Sequence, residues 1–309
     1  NIKKDYFPAI ANLSKLYLKY YNLDKCLKLL KNSLKIFPNN EIVMENLAKV
    51  YLIRKNFTLA EKHLIKLIQL SKDNVKKIIP LILGYTYEGN QKQYKKICEL
   101  FIKNLTRESS KFSFNLKKNK LPKISFLSPD IRNHPVGFFI KDMLPELSKT
   151  FEVIIFNTSE FEDELSIYTK KLCQWINLKD KNEYDIADII YKKDVDVLID
   201  TSGMTRTNNL GVFKLKPSKN QISWAGWLAS TNLKEMDYII SDNFCTQKKD
   251  EQFFTEKILR MKNIWCTYSL SVLENLNLKK ENNSEQFIIY GCFQRPEKIS
   301  QKVLSTWTD

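Results

Sequence analysis

Lys123-Ile124-Ser125-Phe126-Leu127-Ser128-Pro129-Asp130-Ile131-Arg132-Asn133-His134-Pro135 reads as a short strand, a polar turn and the start of a helix. Pro135 suits the first helical turn, where a missing N–H leaves nothing unsatisfied. A helical pattern follows over 136–149. A strand whose carboxyl end opens onto Asp130, Asn133 and His134 matches the way open α/β sheets present ligand-binding groups. His134 is one of only two histidines in the chain. Its imidazole can donate to a phosphate or position a hydroxyl, and Asp130 can accept a proton or order a water. The same residues can instead build a helix cap with an Asx turn, and the local sequence leaves both readings open.

Downstream, apolar runs at 123–128, 152–157, 195–200, 220–224 and 238–241 alternate with helical stretches at 136–149, 161–174, 183–193 and 207–215. That alternation predicts a parallel, doubly wound sheet. Two more strand ends are polar. Asp200-Thr201-Ser202-Gly203-Met204-Thr205 is either a ligand-facing loop or an ordinary turn. In Trp224-Ala225-Gly226-Trp227-Leu228-Ala229-Ser230-Thr231-Asn232, Gly226 permits close backbone approach, and the tryptophans either wall a sugar or base or fill the core. A polar stretch at 276–285 reads as a linker. A strand at 287–292 and a helix-like run at 299–308 then open a further α/β unit. Between them, Gln294-Arg295-Pro296-Glu297-Lys298 sets cations beside a helix start, which is a candidate diphosphate site or a basic surface loop.

Upstream, the first hundred residues repeat at a spacing of 34. Asn12, Leu13, Lys15, Tyr17, Leu18, Asn22 and Lys28 return as Asn46, Leu47, Lys49, Tyr51, Leu52, Asn56 and Lys62, and Cys26 matches the small Ala60. Leu81, Tyr85 and Asn90 mark a weaker third copy. The period and the paired helices resemble tetratricopeptide repeats, which stack into a continuous core and bind peptides or proteins on the concave face. His63 stands where the neighbouring copies carry Leu29 and Ile97, so it reads as a packing residue. The expected organisation is repeats over 1–103, a linker over 104–121, an α/β lobe over 122–275, a linker over 276–285 and the start of a second lobe over 286–309.

Composition narrows the classes. The chain of 309 residues is 43% hydrophobic and 12% aromatic, enough for packed cores. It carries a net charge of +15. The lysines are scattered rather than gathered, so the charge reads as solvated helix faces and predicts no specific nucleic-acid partner. Seven glycines and no G-x-G-x-x-G or G-x-x-x-x-G-K-[ST] argue against a glycine-rich phosphate loop. The six cysteines lie far apart without ligand spacing, which predicts no structural metal and reduced thiols in the cytoplasm. No apolar run of about 18 residues occurs, so no membrane span is expected.

Taken in order, the repeats, S-x-D-x-x-N-H-P (from Ser128), D-x-x-G-x-T (from Asp200), the W-x-G loop with Ser230-Thr231, M-D-Y-I-I-S-D (from Met236) and C-F-x-x-x-x-K-I (from Cys292) resemble the O-linked N-acetylglucosamine transferase (SPINDLY-like) family of protein glycosyltransferases. The resemblance implies an α + α/β chain: tetratricopeptide repeats, then the first Rossmann-like lobe of a GT-B glycosyltransferase, with the second lobe only begun and the chain incomplete and inactive as it stands. It implies a UDP-sugar donor, N-acetylglucosamine foremost, transferred to Ser or Thr of proteins without a metal or other cofactor. It implies catalytic roles for His134, Asp130 and Lys298, the last on the donor diphosphate. It further implies donor-binding roles for Asn133, Pro135, Gly226, Trp227, Ser230, Thr231, Gln294 and Arg295. The acceptor protein would dock on the repeat surface. Leu228-Ala229-Ser230-Thr231 and Gln294-Arg295 depart from the family pattern at positions that bear on donor choice. The alternative is a tetratricopeptide scaffold carrying a non-catalytic α/β lobe.

Overall fold

The computed structural model describes residues 6–105, 112–114, 121–268, 290–295 and 298–308. The expected linker at 276–285, the residues 287–289 of the expected strand, and most of the 104–121 linker lie outside them. The chain divides into two compact units: Asn1–Asn104 with Cys292–Asp309, and Leu105–Gly291.

The first unit holds α1 (Phe7–Lys19), α2 (Leu23–Ile36), α3 (Glu41–Ile53), α4 (Phe57–Leu70), α5 (Ile79–Tyr87) and α6 (Gln91–Lys103), with a 3-10 turn at Lys72–Ile78 before α5. These are the helix pairs that the spacing predicts. Repeat positions fold alike where they do the same work in two copies. Asn56 and Asn90 both cap a second helix by accepting the N–H of Leu59 and Gln93. Cys26 and Ala60 are fully buried where paired helices cross. His63 lies flat against Tyr51, with ring centres 5.7 Å apart, and burial, followed by the charges of Lys62 and Lys66, lowers its pKa. It is a packing residue. α12 (Gln301–Thr308) belongs to this unit, and Lys55 Nζ donates to the Ile299 carbonyl at 2.5 Å.

The second unit is the parallel sheet. Its strands are β1 (Lys123–Ser128), β2 (Glu152–Asn157), β3 (Gln174–Asn177), β4 (Val197–Asp200), β5 (Asn220–Ser223), β6 (Tyr238–Ser241) and β7 (Lys257–Arg260). Its helices are α7 (Pro135–Lys141), α8 (Leu144–Leu147), α9 (Glu164–Lys170), α10 (Glu183–Lys192) and α11 (Leu210–Lys214). The strand order is β3-β2-β1-β4-β5-β6-β7, every pairing parallel. Strands covered on both faces must be apolar throughout, and Phe126, Leu127, Ile154, Ile155, Phe156 and Leu198 are all at most 1% exposed.

Two edge strands were not expected from the sequence. β3 falls at the end of what reads as a helix over 161–174, and β7 in a stretch that carries no strand signal. The helical run 136–149 is two helices, because Pro145 has no N–H to extend α7 and instead sits in the first turn of α8. The chain leaves β1 toward β2 on one side and returns to β4 on the other. The switch point therefore lies between the carboxyl ends of β1 and β4, where such sheets bind ligands.

Candidate functional site at the sheet switch point

Each of five adjacent strands ends in a small polar residue that is almost fully buried: Asn157, Ser128, Asp200, Ser223 and Ser241. Four of them organise the turn that follows. Asn157 holds Ser159 through both its amide atoms. Ser128 Oγ accepts the Asp130 N–H at 3.0 Å. Asp200 accepts the Ser202 and Gly203 N–H groups at 3.0 and 2.8 Å. Ser241 pairs with Thr246 at 2.7 Å. Side chains have replaced water as partners for turn backbone that the sheet buries.

The turn after β1 carries Asp130, Asn133, His134 and Pro135. Asp130 is 8% exposed, and its carboxylate lies 3.3 Å from the Arg132 guanidinium. The Asn133 N–H donates to Asp163 at 2.5 Å. Burial pushes the Asp163 carboxyl up, but the N–H groups of Asn133, Ser166 and Leu165 together outweigh it and hold the pKa below the usual range. Asp163 also caps α9, with Ser166 reciprocating, so the two helices behind the turn are tied through one carboxylate. His134 is half-buried and is the N-cap of α7: its Nδ1 accepts the Val136 N–H at 3.3 Å. A nitrogen that accepts carries no proton, so the neutral ring has its proton on Nε2. The cap reading of His134 therefore holds. It is a cap through Nδ1, and Nε2 is left as a donor.

The turns after β4 and β5 are notched into each other. A Cβ on Gly226 would run into the Thr201 carbonyl, and one on Gly203, which has φ +52°, would run into the Trp227 side chain. Ala225 takes φ +72° to bring Gly226 down onto Thr201. Trp224 and Trp227 are 5% and 9% exposed, so they serve chiefly as packing. Trp224 Nε1 donates to the Trp265 carbonyl, and Trp265 N–H donates to Asp242. The Cys245 N–H, with those of Trp265 and Phe244, holds the Asp242 carboxyl below its usual range despite burial.

Ser230 and Thr231 have their hydroxyls taken by a residue that sequence reasoning missed. Glu256, 5% exposed, accepts from Ser230 Oγ at 2.6 Å, from Thr231 N–H at 2.6 Å and from Thr231 Oγ1 at 2.5 Å. Ser230 Oγ in turn accepts the N–H groups of Asn232 and Thr255. The Ser-Thr pair anchors the loop. Among the described residues, the buried hydroxyl oxygens of Thr201, Ser202, Thr205 and Ser223 have no protein partner. Leaving one such group unpaired costs about 1–3 kcal/mol, so the β4 and β5 ends hold unused polar capacity.

Asp200 is fully buried, and its carboxyl is pushed up to about 6, first by burial and further by the charge of Glu256, against the pull of two N–H groups. The sign follows from linkage. Below about pH 4 the group is protonated in both states. Between 3.8 and about 6 the unfolded chain releases the proton first, so stability falls as pH rises, by about 3 kcal/mol in full above pH 6. A carboxyl-carbon NMR titration should find this midpoint near 6, and lower in Glu256→Gln. A midpoint below 4 would overturn this reading.

Of the sequence-predicted site residues, Asp130, Asn133, His134 and Pro135 share one turn, and Gly226, Trp227, Ser230 and Thr231 share another at the same end of the sheet. Gln294, Arg295 and Lys298 are exposed and belong to the unit of the helical repeats. Among the described residues no group of three His, Cys, Asp or Glu side chains could hold a metal ion, and no helix is long and apolar enough to cross a membrane.

A parallel sheet in this order, with a histidine-bearing turn and two interlocked loops at its switch point, defines a Rossmann-like lobe. Residues 77–280 match the model of glycosyl transferase family 41. This span is more than half of the chain, and the chain belongs to that family. It is 28% identical over 203 residues to the probable UDP-N-acetylglucosamine–peptide N-acetylglucosaminyltransferase SPINDLY of Arabidopsis thaliana, covering 62% of this chain and 22% of that one. It is 24% identical over 153 residues to a UDP-N-acetylglucosamine–peptide N-acetylglucosaminyltransferase of Caenorhabditis elegans, covering 48% and 13%. The chain thus spans about a fifth or less of the length of these relatives. A Thermobaculum terrenum O-GlcNAc transferase mutant shares the fold with a TM-score of 0.67 at 18% identity, over 86% of this chain and 52% of that one.

Proposed function

We propose that this chain supplies the helical repeats and the first α/β lobe of a protein O-glycosyltransferase. The enzyme would move N-acetylglucosamine from its UDP conjugate to Ser or Thr hydroxyls of proteins in the cytoplasm, without a metal or nucleic-acid partner. The observation that carries this reading is the family match across 77–280, which spans every element of the switch-point site. The relatives' names supply donor and acceptor.

In this reading the acceptor oxygen attacks the anomeric carbon, the sugar–phosphate bond breaks, and UDP departs with the bonding pair. His134, with Nε2 as the available donor, positions an oxygen at the reacting centre rather than removing its proton. Asp130, directly or through water, takes the proton. Lys298 stabilises the departing diphosphate, whose charge grows in the transition state. Gly226 and Trp227 shape the sugar pocket, with Ser230 and Thr231 fixing that loop on Glu256. Asn133 and Pro135 set the His134 turn, and Gln294 and Arg295 flank Lys298. The acceptor chain rests on the repeats.

Titration calorimetry of UDP against the product of the complete gene tests the donor half. We expect binding that weakens at least tenfold in Lys298→Ala, since one charge-assisted contact contributes about 1.5–3 kcal/mol. Absence of UDP binding would favour a tetratricopeptide scaffold with a non-catalytic lobe.

A further inference from the structure

Beside the His134 turn, the turns after β1, β2 and β3 enclose a pocket of about 320 Å3. Asp130 and Arg132 line it from the first turn, Glu160 and Phe161 from the second, Lys179 and Asp180 from the third. Its size suits one or two amino-acid side chains and falls at the small end of ligand pockets.

The charges discriminate between occupants. Both cations are already matched: Arg132 to Asp130 at 3.3 Å and Lys179 to Glu160 at 3.0 Å. The carboxylates of Asp130, Glu160 and Asp180 outnumber the cations of Arg132 and Lys179, three against two, so the lining carries one net negative charge. Asp180 adds its charge to that of Glu160 around Lys179. A diphosphate would meet no uncommitted cation here and a net repulsion. A basic side chain would meet one carboxylate in surplus and the ring of Phe161, which is 65% exposed and already holds the Arg132 guanidinium at 5.9 Å from its centre. Aromatic faces attract cations.

We propose that this pocket is an acceptor subsite, taking a Lys or Arg side chain of the substrate polypeptide that flanks the modified Ser or Thr. The proposal rests on the transferase reading and adds a sequence preference to it. The pocket shares Asp130 and Arg132 with the turn that carries His134, whose N–H donates to the Arg132 carbonyl at 2.6 Å. A peptide held there is held next to the chemistry. Because Glu160 and Asp180 stand in the turns after β2 and β3 rather than in the turn that carries Asp130 and His134, their charge should act on KM and leave kcat alone.

The test compares Ser/Thr peptides carrying Lys with matched peptides carrying Glu at each flanking position, against wild type and the double variant Glu160→Lys/Asp180→Lys, both exposed loop positions. Sugar transfer and fluorescence-anisotropy binding of the peptides without donor are read separately. We expect wild type to favour the Lys peptide by about threefold to tenfold at one position, and the variant to lose or invert that preference with UDP affinity unchanged. Equal treatment of the two peptides by wild type, or a preference untouched by the double variant, would overturn the subsite. So would binding of spermidine without discrimination between peptides, which would mark a small-cation site instead. If UDP binds to neither protein, the transferase reading falls, and the anisotropy comparison still decides the pocket.

Discussion

His134→Ala is expected to lower sugar transfer by about 10²–10³-fold in the product of the complete gene, the loss seen when a positioned donor at a reacting centre is removed. The side chain also caps α7 through Nδ1, and losing that cap alone costs about 1 kcal/mol of stability. His134→Asn separates the two roles. Asparagine caps a helix as well as any residue but presents no Nε2–H. It should therefore keep the melting temperature within a degree or two of wild type while activity stays as low as in the alanine variant. Activity restored by asparagine would mean that the imidazole matters only as a cap.

Glu256→Ala is expected to be the most destabilising single change in the lobe, by about 3–5 kcal/mol, as when one partner is removed from a buried charged network. It would strand the Thr231 N–H and the Thr231 hydroxyl hydrogen and leave the Ser230 and Thr255 hydroxyls only each other. Against a typical stability of 5–15 kcal/mol, that loss brings the lobe near the edge of folding. Urea denaturation followed by tryptophan fluorescence would measure it, with Trp224 and Trp227 as buried reporters on the same loop. Glu256→Gln should cost less, since one oxygen still accepts. A loss below 1 kcal/mol in Glu256→Ala would show that the loop does not depend on this carboxylate.

How much of this was legible in the sequence depends on how local each cause is. β1 and β2 fall where 123–128 and 152–157 predict them, because a strand covered on both faces must be apolar along its length. The repeats declare themselves because small Cys26 and Ala60 are buried alike in the first two copies, and Asn56 and Asn90 cap alike in the second and third. β3 and β7 did not show, since a four-residue edge strand buries too little to leave a pattern, and Gln174 and Lys257 begin theirs exposed. The His134 turn could be located, but which ring nitrogen makes the cap could not, because the sequence carries no trace of a tautomer. Glu256 was beyond reach. It sits in an ordinary polar stretch, and its partners lie 25 residues upstream, brought near only by the β5–β6–β7 crossovers. The tryptophans allowed either a pocket wall or a core, and burial places both mainly in the core.

The mutual notching of Gly203 and Gly226 has a practical corollary for anyone wishing to exchange these turns with those of a relative. Neither segment can be exchanged alone: a chimera that imports 224–232 from a relative while keeping its own 200–205 would bring together backbones shaped for other companions. The two segments form a single transplantable module. A graft that ignores this pairing would mislead its maker, blaming the imported residues for a misfit between scaffolds.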